Sequence, residues 1–108
     1  MEKNLNERFH ESMLDIYKRA KKEAGYNATR YLQLLDQHKG LKTAKILIDA
    51  PKVSDGYTAL WERQRLDLTV EALIFDNPEY HELFTDKELC TVKQRLVQYQ
   101  YGPALEKK

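Results

Sequence analysis

Apolar residues recur at helical intervals over the first quarter of the chain. An apolar or aromatic residue stands every three or four positions there, which places these side chains on one face of a helix. The residues of this face are Phe9, Met13, Ile16, Tyr17, Ala20 and Ala24. Acidic residues come first and basic residues later, as the helix dipole favours. The pattern predicts a helix over residues 5–24, closed by Gly25 in a left-handed cap.

Two shorter helices are predicted between Gly25 and Pro51. Asn27 is the expected N-cap of the first, because its side-chain oxygen can accept a hydrogen bond from an unpaired backbone N–H. Gly40 is expected to end that helix. A second helix follows and stops at Pro51, and Ala50 is expected to leave helical geometry because it precedes that proline.

The second half of the chain carries three further start signals for helices. Ser54 is the expected cap of a fourth helix and Asp67 that of a fifth. Alternation over residues 66–70 is also compatible with a strand, but the longer apolar spacing favours a helix. Thr85 and Glu88 have the spacing of a capping box, which opens a last helix.

The sequence predicts an all-α fold in one domain. Its 108 residues suit a single core, and 4 glycines and 3 prolines are few for the turns of a sandwich or barrel. We expect about six short helices, stabilised by mutual packing, in residues 1–103. Residues 1–24 form the longer N-terminal helix and residues 25–101 a compact body, whereas residues 104–108 are expected to be a disordered tail. The first helix either packs on the body or projects and pairs with a second copy.

Charge is unevenly distributed, although the net charge is only +1. Residues 16–45 are mainly basic and residues 51–90 mainly acidic, so the two regions either coat separate surfaces or orient a partner. The candidate phosphate-contacting face consists of Lys18, Arg19, Lys21, Lys22, Arg30, Lys42 and Lys45. These cations form either a solvated surface or a contact with nucleic-acid phosphates, which positions a protein without reading a base sequence.

Signals for metals, cofactors and membranes are lacking. The single cysteine, Cys90, excludes an internal disulfide and a thiolate zinc site, and we expect it to pack as a small apolar residue. His10, His38 and His81 are too far apart for a helical ligand pair, and no glycine-rich phosphate loop is present. We therefore expect no metal and no cofactor. Without a signal peptide or a run of about 18 apolar residues, the expected location is the cytoplasm, away from the membrane.

The densest opposed charges lie in residues 54–73, beside the only tryptophan. The candidate polar cluster consists of Arg65, Asp67 and Glu71, with Tyr57 and Trp61. If positions 67 and 71 are one helical turn apart, their carboxylates share a face and Arg65 can bridge to either. The cluster is then an ion pair that fixes the angle between two helices, a polar binding pocket that uses Arg65 and Glu71, or a pair of carboxylates for acid–base catalysis. No nucleophile or metal ligand stands near it, so no catalytic residue is assigned.

Several motifs taken together resemble a recurring bacterial segment. They are Ala24-Gly-Tyr-Asn-Ala-Thr-Arg-Tyr-Leu-Gln-Leu-Leu, Gly40 with Ala44, Ser54-Asp-Gly-Tyr-Thr-Ala-Leu-Trp, Arg65-Leu-Asp-Leu-Thr-Val-Glu and Leu83-Phe-Thr-Asp-Lys-Glu-Leu. The resemblance covers about residues 20–98 and leaves residues 1–20 outside. The positions that match the segment's pattern are Tyr26, Tyr57, Arg65, Asp67 and Glu71. The segment is similar to small all-helical modules that occur alone or joined to other modules, sometimes nuclease or mobile-element proteins, which implies an accessory role without an assigned activity.

The expected function is that of a non-enzymatic helical interaction module that contacts a protein partner or a second copy of itself. The first alternative is a nucleic-acid-associated accessory protein that uses the basic face of residues 18–45. A further alternative is a small-molecule pocket around Arg65, Asp67 and Glu71.

Overall fold

The computed structural model describes residues 3–106, and no strand occurs in that range. Six α-helices follow one another: α1 (Leu5–Glu23), α2 (Thr29–Asp49), α3 (Asp55–Glu62), α4 (Val70–Asp76), α5 (Asp86–Gln98) and α6 (Gly102–Glu106). Two 3₁₀ turns, Leu66–Leu68 and Pro78–Leu83, flank α4. The predicted all-α fold is confirmed.

Helix α1 lies against the body of the protein. Asn4 caps it, its side-chain oxygen accepting a hydrogen bond from the Glu7 amide at 2.8 Å. Phe9 and Met13 have no exposed surface, and α1 packs chiefly on α2. Gly25 has a φ of +66°, the left-handed conformation expected after this helix. Of the two arrangements left open by the sequence, packing on the body is the one observed.

Helix α2 is broken in its middle. Lys39 has φ 66° and ψ 177°, so the break comes one residue before the predicted boundary at Gly40. Gly40 is needed for another reason: a Cβ at that position would lie 2.6 Å from the Cα of His10 on α1. The predicted cap at Asn27 is wrong, because no side chain caps α2. The side-chain oxygen of Asn27 instead accepts a hydrogen bond from the Tyr17 hydroxyl at 3.0 Å.

The start of α4 also differs from the prediction. Thr69, and not Asp67, is the N-cap, and its hydroxyl accepts a hydrogen bond from the Ala72 amide at 3.1 Å. Asp67 lies in the preceding 3₁₀ turn, so the alternation over residues 66–70 forms neither a strand nor one continuous helix. The two carboxylates at positions 67 and 71 are therefore not one turn apart on a common helix.

The C-terminal region is more ordered than expected. Thr85 and Glu88 form the predicted capping box, with bonds of 3.1 Å and 2.9 Å between their side chains and backbone amides. Residues 102–106 form α6, and Ala104 is buried in the core. The predicted tail is thus wrong for residues 104–106, and its last two residues, like residues 1 and 2, lie outside the described residues.

The main core lies between α1, α2, α4 and α5. Phe9 is at its centre, with the rings of Tyr80 and Phe84 packed edge-on at centroid distances of 5.1 Å and 5.6 Å. Helix α3 packs chiefly on the Leu66–Leu68 turn, and a second, smaller apolar cluster forms there. This placement of α3 leaves a cavity between it and the α1–α2 pair.

Candidate functional site

The cavity beside α3 has the size and lining of a ligand pocket. Its volume is about 460 Å³, within the range of roughly 300–1,000 Å³ that small-molecule sites occupy. Its walls come from α1, from both parts of α2, from α3 and from the start of α4. The apolar and aromatic wall residues include Ile16, Tyr17, Ala20, Tyr26, Tyr31, Leu34, Leu47, Val53, Tyr57, Leu60, Leu68 and Val70.

Glu71 forms the buried floor of the pocket and pairs with Arg95, which is not part of the pocket lining. Glu71, in the first turn of α4, has only 3% of its surface exposed, and Arg95 of α5 has 8%. Nη1 of Arg95 donates to Oε2 of Glu71 at 2.9 Å and to the carbonyl oxygen of Leu47 at 3.1 Å. Nη2 donates to the carbonyl oxygen of Ala50 at 2.6 Å. One guanidinium therefore joins α4, α5 and the end of α2.

Burial governs the protonation of the groups at the floor. It raises the pKa of Glu71 above that of an ordinary carboxyl, while bonds from its own backbone amide and from Arg95 act in the opposite direction. Burial, reinforced by the Glu71 charge, also raises the pKa of Tyr31 and Tyr57. Both phenols therefore stay protonated at neutral pH.

The two phenols already use their hydrogens within the protein. The Tyr31 hydroxyl donates to the Met13 carbonyl at 2.8 Å, and the Tyr57 hydroxyl donates to the Arg95 carbonyl at 3.0 Å. The floor therefore presents a carboxylate and hydroxyl oxygens whose protons are committed elsewhere. A ligand that reaches it meets hydrogen-bond acceptors rather than available donors.

Charged side chains surround the mouth of the pocket. Arg30, Lys52 and Asp55 line it and are exposed. None of the three forms an ion pair with a residue in the described part of the chain. Tyr26 lies at the same opening, and the Arg63 guanidinium is 5.2 Å from the centre of its ring. The mouth is thus polar, whereas the walls below it are apolar.

The predicted polar cluster is divided between two places. Arg65 donates to both oxygens of Asp67 at 3.0 Å and to Glu23 at 2.7 Å, in a network at the surface. Glu71 lies in the pocket and pairs with Arg95, not with Arg65. The prediction thus located a carboxylate of the pocket but assigned it the wrong partner.

Arg95 is the residue of this site that sequence reasoning missed. It falls three positions after Val92 and one before Leu96, on the buried face of α5. A charged residue at a position where the helical spacing calls for an apolar one is the signal that points to it. Long charged side chains are seldom fully buried unless they are paired, so such a residue predicts a buried partner.

Tyr57 and Trp61, the aromatic residues of the candidate polar cluster, lie in different places. Tyr57 is in the pocket wall, whereas Trp61 is on the surface with 45% of its area exposed. The ring of Tyr99 lies between them, edge-on to Tyr57 at 5.0 Å and to Trp61 at 5.3 Å. Cys90, expected to be packed, is exposed on α5, so that expectation is wrong.

The predicted basic residues come from α1 and from both parts of α2. Lys18, Lys21 and Lys22 lie exposed along α1, together with Arg19, which pairs with Glu23. Arg30 is at the mouth of the pocket.

The other two basic residues, Lys42 and Lys45, line a separate groove beside His10. Lys45 donates to Glu88 at 2.7 Å and lies 5.2 Å above the Phe84 ring centre. Partial burial alone would raise the pKa of Glu88, but the bonds from Lys45 and the Thr85 amide outweigh it and lower that pKa. Lys45 is thus held in a structural contact.

No three histidine, cysteine, aspartate or glutamate side chains among residues 3–106 are grouped as ligands for a metal ion. In the same range, none of the helices combines the length and the apolar character that crossing a bilayer requires.

Comparisons with protein-family models, with curated proteins and with solved structures find no match to this chain. The pocket and its contacts are therefore the basis for a functional proposal.

Proposed function

We propose that the protein is a binding module whose central pocket holds a small molecule with an apolar body. The observation that carries the proposal is the cavity of about 460 Å³ with apolar and aromatic walls and one buried carboxylate, that of Glu71, at its floor. Ligand sites combine such walls with a few polar groups that orient the ligand. Glu71 and the Tyr57 hydroxyl are the polar groups available for that role.

The packing around the cavity supports the same proposal. The pocket opens to solvent between exposed side chains, so part of its apolar wall area faces water. An apolar ligand would remove that area from water, which is favourable. The walls are also held in place from behind, because Arg95 fixes α2 relative to α4 and α5.

Titration with 1-octanol tests the proposal. Gly56 lines the pocket, and a Cβ added there would touch the Tyr26 ring at an ordinary distance of 3.6 Å. Gly56→Leu should therefore fill part of the opening. Gly102→Leu is the matched control, since a Cβ at Gly102 has no neighbour within 4 Å and this residue is not part of the pocket.

We expect 1-octanol to shift the backbone amide resonances of pocket residues in the wild type and in Gly102→Leu, but only weakly in Gly56→Leu. Melting curves of all three proteins check that each is folded. If Gly56→Leu is unfolded, Gly56→Ala, whose methyl group fits in ordinary contact, replaces it. Absence of saturable shifts at the pocket in the wild type would refute the proposal.

A second candidate function is contact with a protein partner or a second copy of the chain. Exposed Trp61, braced by Tyr99, favours it, because large aromatic residues are enriched at the centres of interfaces. Sedimentation at two protein concentrations, with wild type and Trp61→Ala, tests self-association. A wild type that stays monomeric at the higher concentration would remove the homodimer from this candidate.

Contact with nucleic acid remains a prediction of the sequence. Two of the predicted cations, Arg19 and Lys45, already pair with carboxylates of the protein. Binding that falls steeply with rising salt would be required to support it.

A further inference from the structure

We infer that the ligand of the pocket is an anionic amphiphile, a carboxylate with an apolar chain, whose chain fills the cavity and whose head lies between Arg30 and Lys52. This inference rests on the proposed function and specifies the chemical class of the ligand and its orientation.

The cations at the mouth are the first argument. Arg30 comes from the first turn of α2 and Lys52 from the segment between α2 and α3, and both line the pocket while remaining exposed. Neither is engaged in an ion pair within residues 3–106, although other arginines and lysines of the chain are. Asp55 is the acidic residue at the same opening, so the charge around the mouth is net positive.

The floor gives the second argument, because it excludes the opposite orientation. Glu71 is the charged side chain there; Arg95 lies outside the pocket lining and already donates to Glu71, Leu47 and Ala50. A carboxylate placed beside Glu71 would meet a like charge in a buried environment, which is strongly unfavourable. The anionic head must therefore stay at the mouth, and the chain must point inward.

The walls account for the apolar chain. Ile16, Leu34, Leu47 and Val70 line the space between mouth and floor. Burial of each additional methylene group should tighten binding by about fourfold until the cavity is full. A short carboxylate such as acetate lacks this contribution and should bind very weakly.

Three probes of equal chain length test the inference: octanoate, 1-octanol and octylamine, titrated by calorimetry at neutral pH and low salt. We expect octanoate to bind about fivefold more tightly than 1-octanol, as for an exposed ion pair, and octylamine to bind more weakly than either. Raising the salt concentration should reduce the advantage of octanoate, because exposed charges are screened.

Variants at the mouth assign the effect to its residues. Arg30→Gln combined with Lys52→Gln should abolish the preference for octanoate over 1-octanol. Asp55→Asn should change octanoate binding in the opposite direction and tighten it. Lys21→Gln, an exposed position of α1 that does not line the pocket, is the control and should have no effect.

The possible results separate the two proposals. If none of the three probes binds, the proposed function fails and this inference fails with it. If 1-octanol and octylamine bind as tightly as octanoate, or the double variant keeps the preference, the pocket stands and the anionic head is refuted. If the double variant loses the preference for octanoate and the control Lys21→Gln keeps it, the result supports both the proposed function and the anionic head.

Discussion

Replacing Arg95 by methionine should destabilise the protein strongly. Arg95 is buried in the wild type and is the ion-pair partner of the buried Glu71. Methionine fills similar space but leaves the Glu71 carboxylate without a compensating charge. It also removes the hydrogen-bond donors from the carbonyl oxygens of Leu47 and Ala50 at the end of α2.

The size of the effect follows from the burial of both partners. Removing one partner of a buried pair costs roughly 3–5 kcal/mol, because the remaining charge is desolvated without compensation. A domain of this size is stable by about 5–15 kcal/mol in total. The melting temperature of Arg95→Met should therefore fall by on the order of 10–20 °C.

Chemical denaturation of four proteins measures this effect. The double variant Glu71→Leu with Arg95→Met removes both charges and should recover much of the stability, since apolar replacements of buried pairs are often neutral. Arg65→Met is the matched control, because this arginine is paired at the surface and should contribute at most about 1 kcal/mol. Equal losses in Arg95→Met and Arg65→Met, or a double variant no more stable than Arg95→Met, would refute the role assigned to the buried pair.

Three single positions give further predictions. Gly40→Ala should lower the free energy of unfolding by about 1–3 kcal/mol, because its Cβ would lie 2.6 Å from the His10 Cα. Urea denaturation compares it with Gly102→Ala, whose added methyl group meets no neighbour within 4 Å. Lys39→Gly should raise that free energy by about 1 kcal/mol, since glycine adopts φ 66° and ψ 177° without strain, and a lower urea midpoint would contradict this. Hydrogen bonds from two arginines lower the pKa of Glu23 to about 2. The stabilising contribution of this carboxylate is therefore present above the ordinary carboxyl pKa and is lost as the pH falls towards 2. Melting temperatures of Glu23→Gln over this pH range should depend less on pH than those of the wild type.

Helices α1, α3 and α5 could be predicted because apolar residues recur along one face of each, and spacing alone reveals such a helix. The capping box at Thr85 was equally accessible, since both of its bonds are made within four residues. Asp67 and Thr69 show the limit of such local signals. Both residues can cap a helix, and the choice of Thr69 depends on the 3₁₀ turn that buries Leu66 and Leu68 against the rest of the protein.

The break in α2 illustrates a second limit. A glycine after a helix predicts a left-handed residue, and Gly25 has that conformation. Gly40 does not, because the close approach of α1 at His10 requires the absence of a side chain there, and the positive φ falls on Lys39 instead. A glycine has two uses, and a single sequence does not distinguish them.

The pocket was the part of the site least accessible to sequence reasoning. Glu71 was selected for its charge, but its partner Arg95 is distant in the chain and meets it only through the packing of α4 on α5. The cavity itself results from the position at which α3 packs on the rest of the protein. That position depends on contacts with the Leu66–Leu68 turn and on the Tyr57 hydroxyl, which donates to the Arg95 carbonyl oxygen of α5.

Intermolecular nuclear Overhauser effects between octanoate and methyl-labelled protein test the central claim most directly. The account predicts contacts from the terminal methyl group of octanoate to the methyl groups of Leu34, Leu47 and Val70, which line the pocket. Contacts confined to the exposed side chains of Val97 and Leu105, which lie outside the pocket, would contradict it.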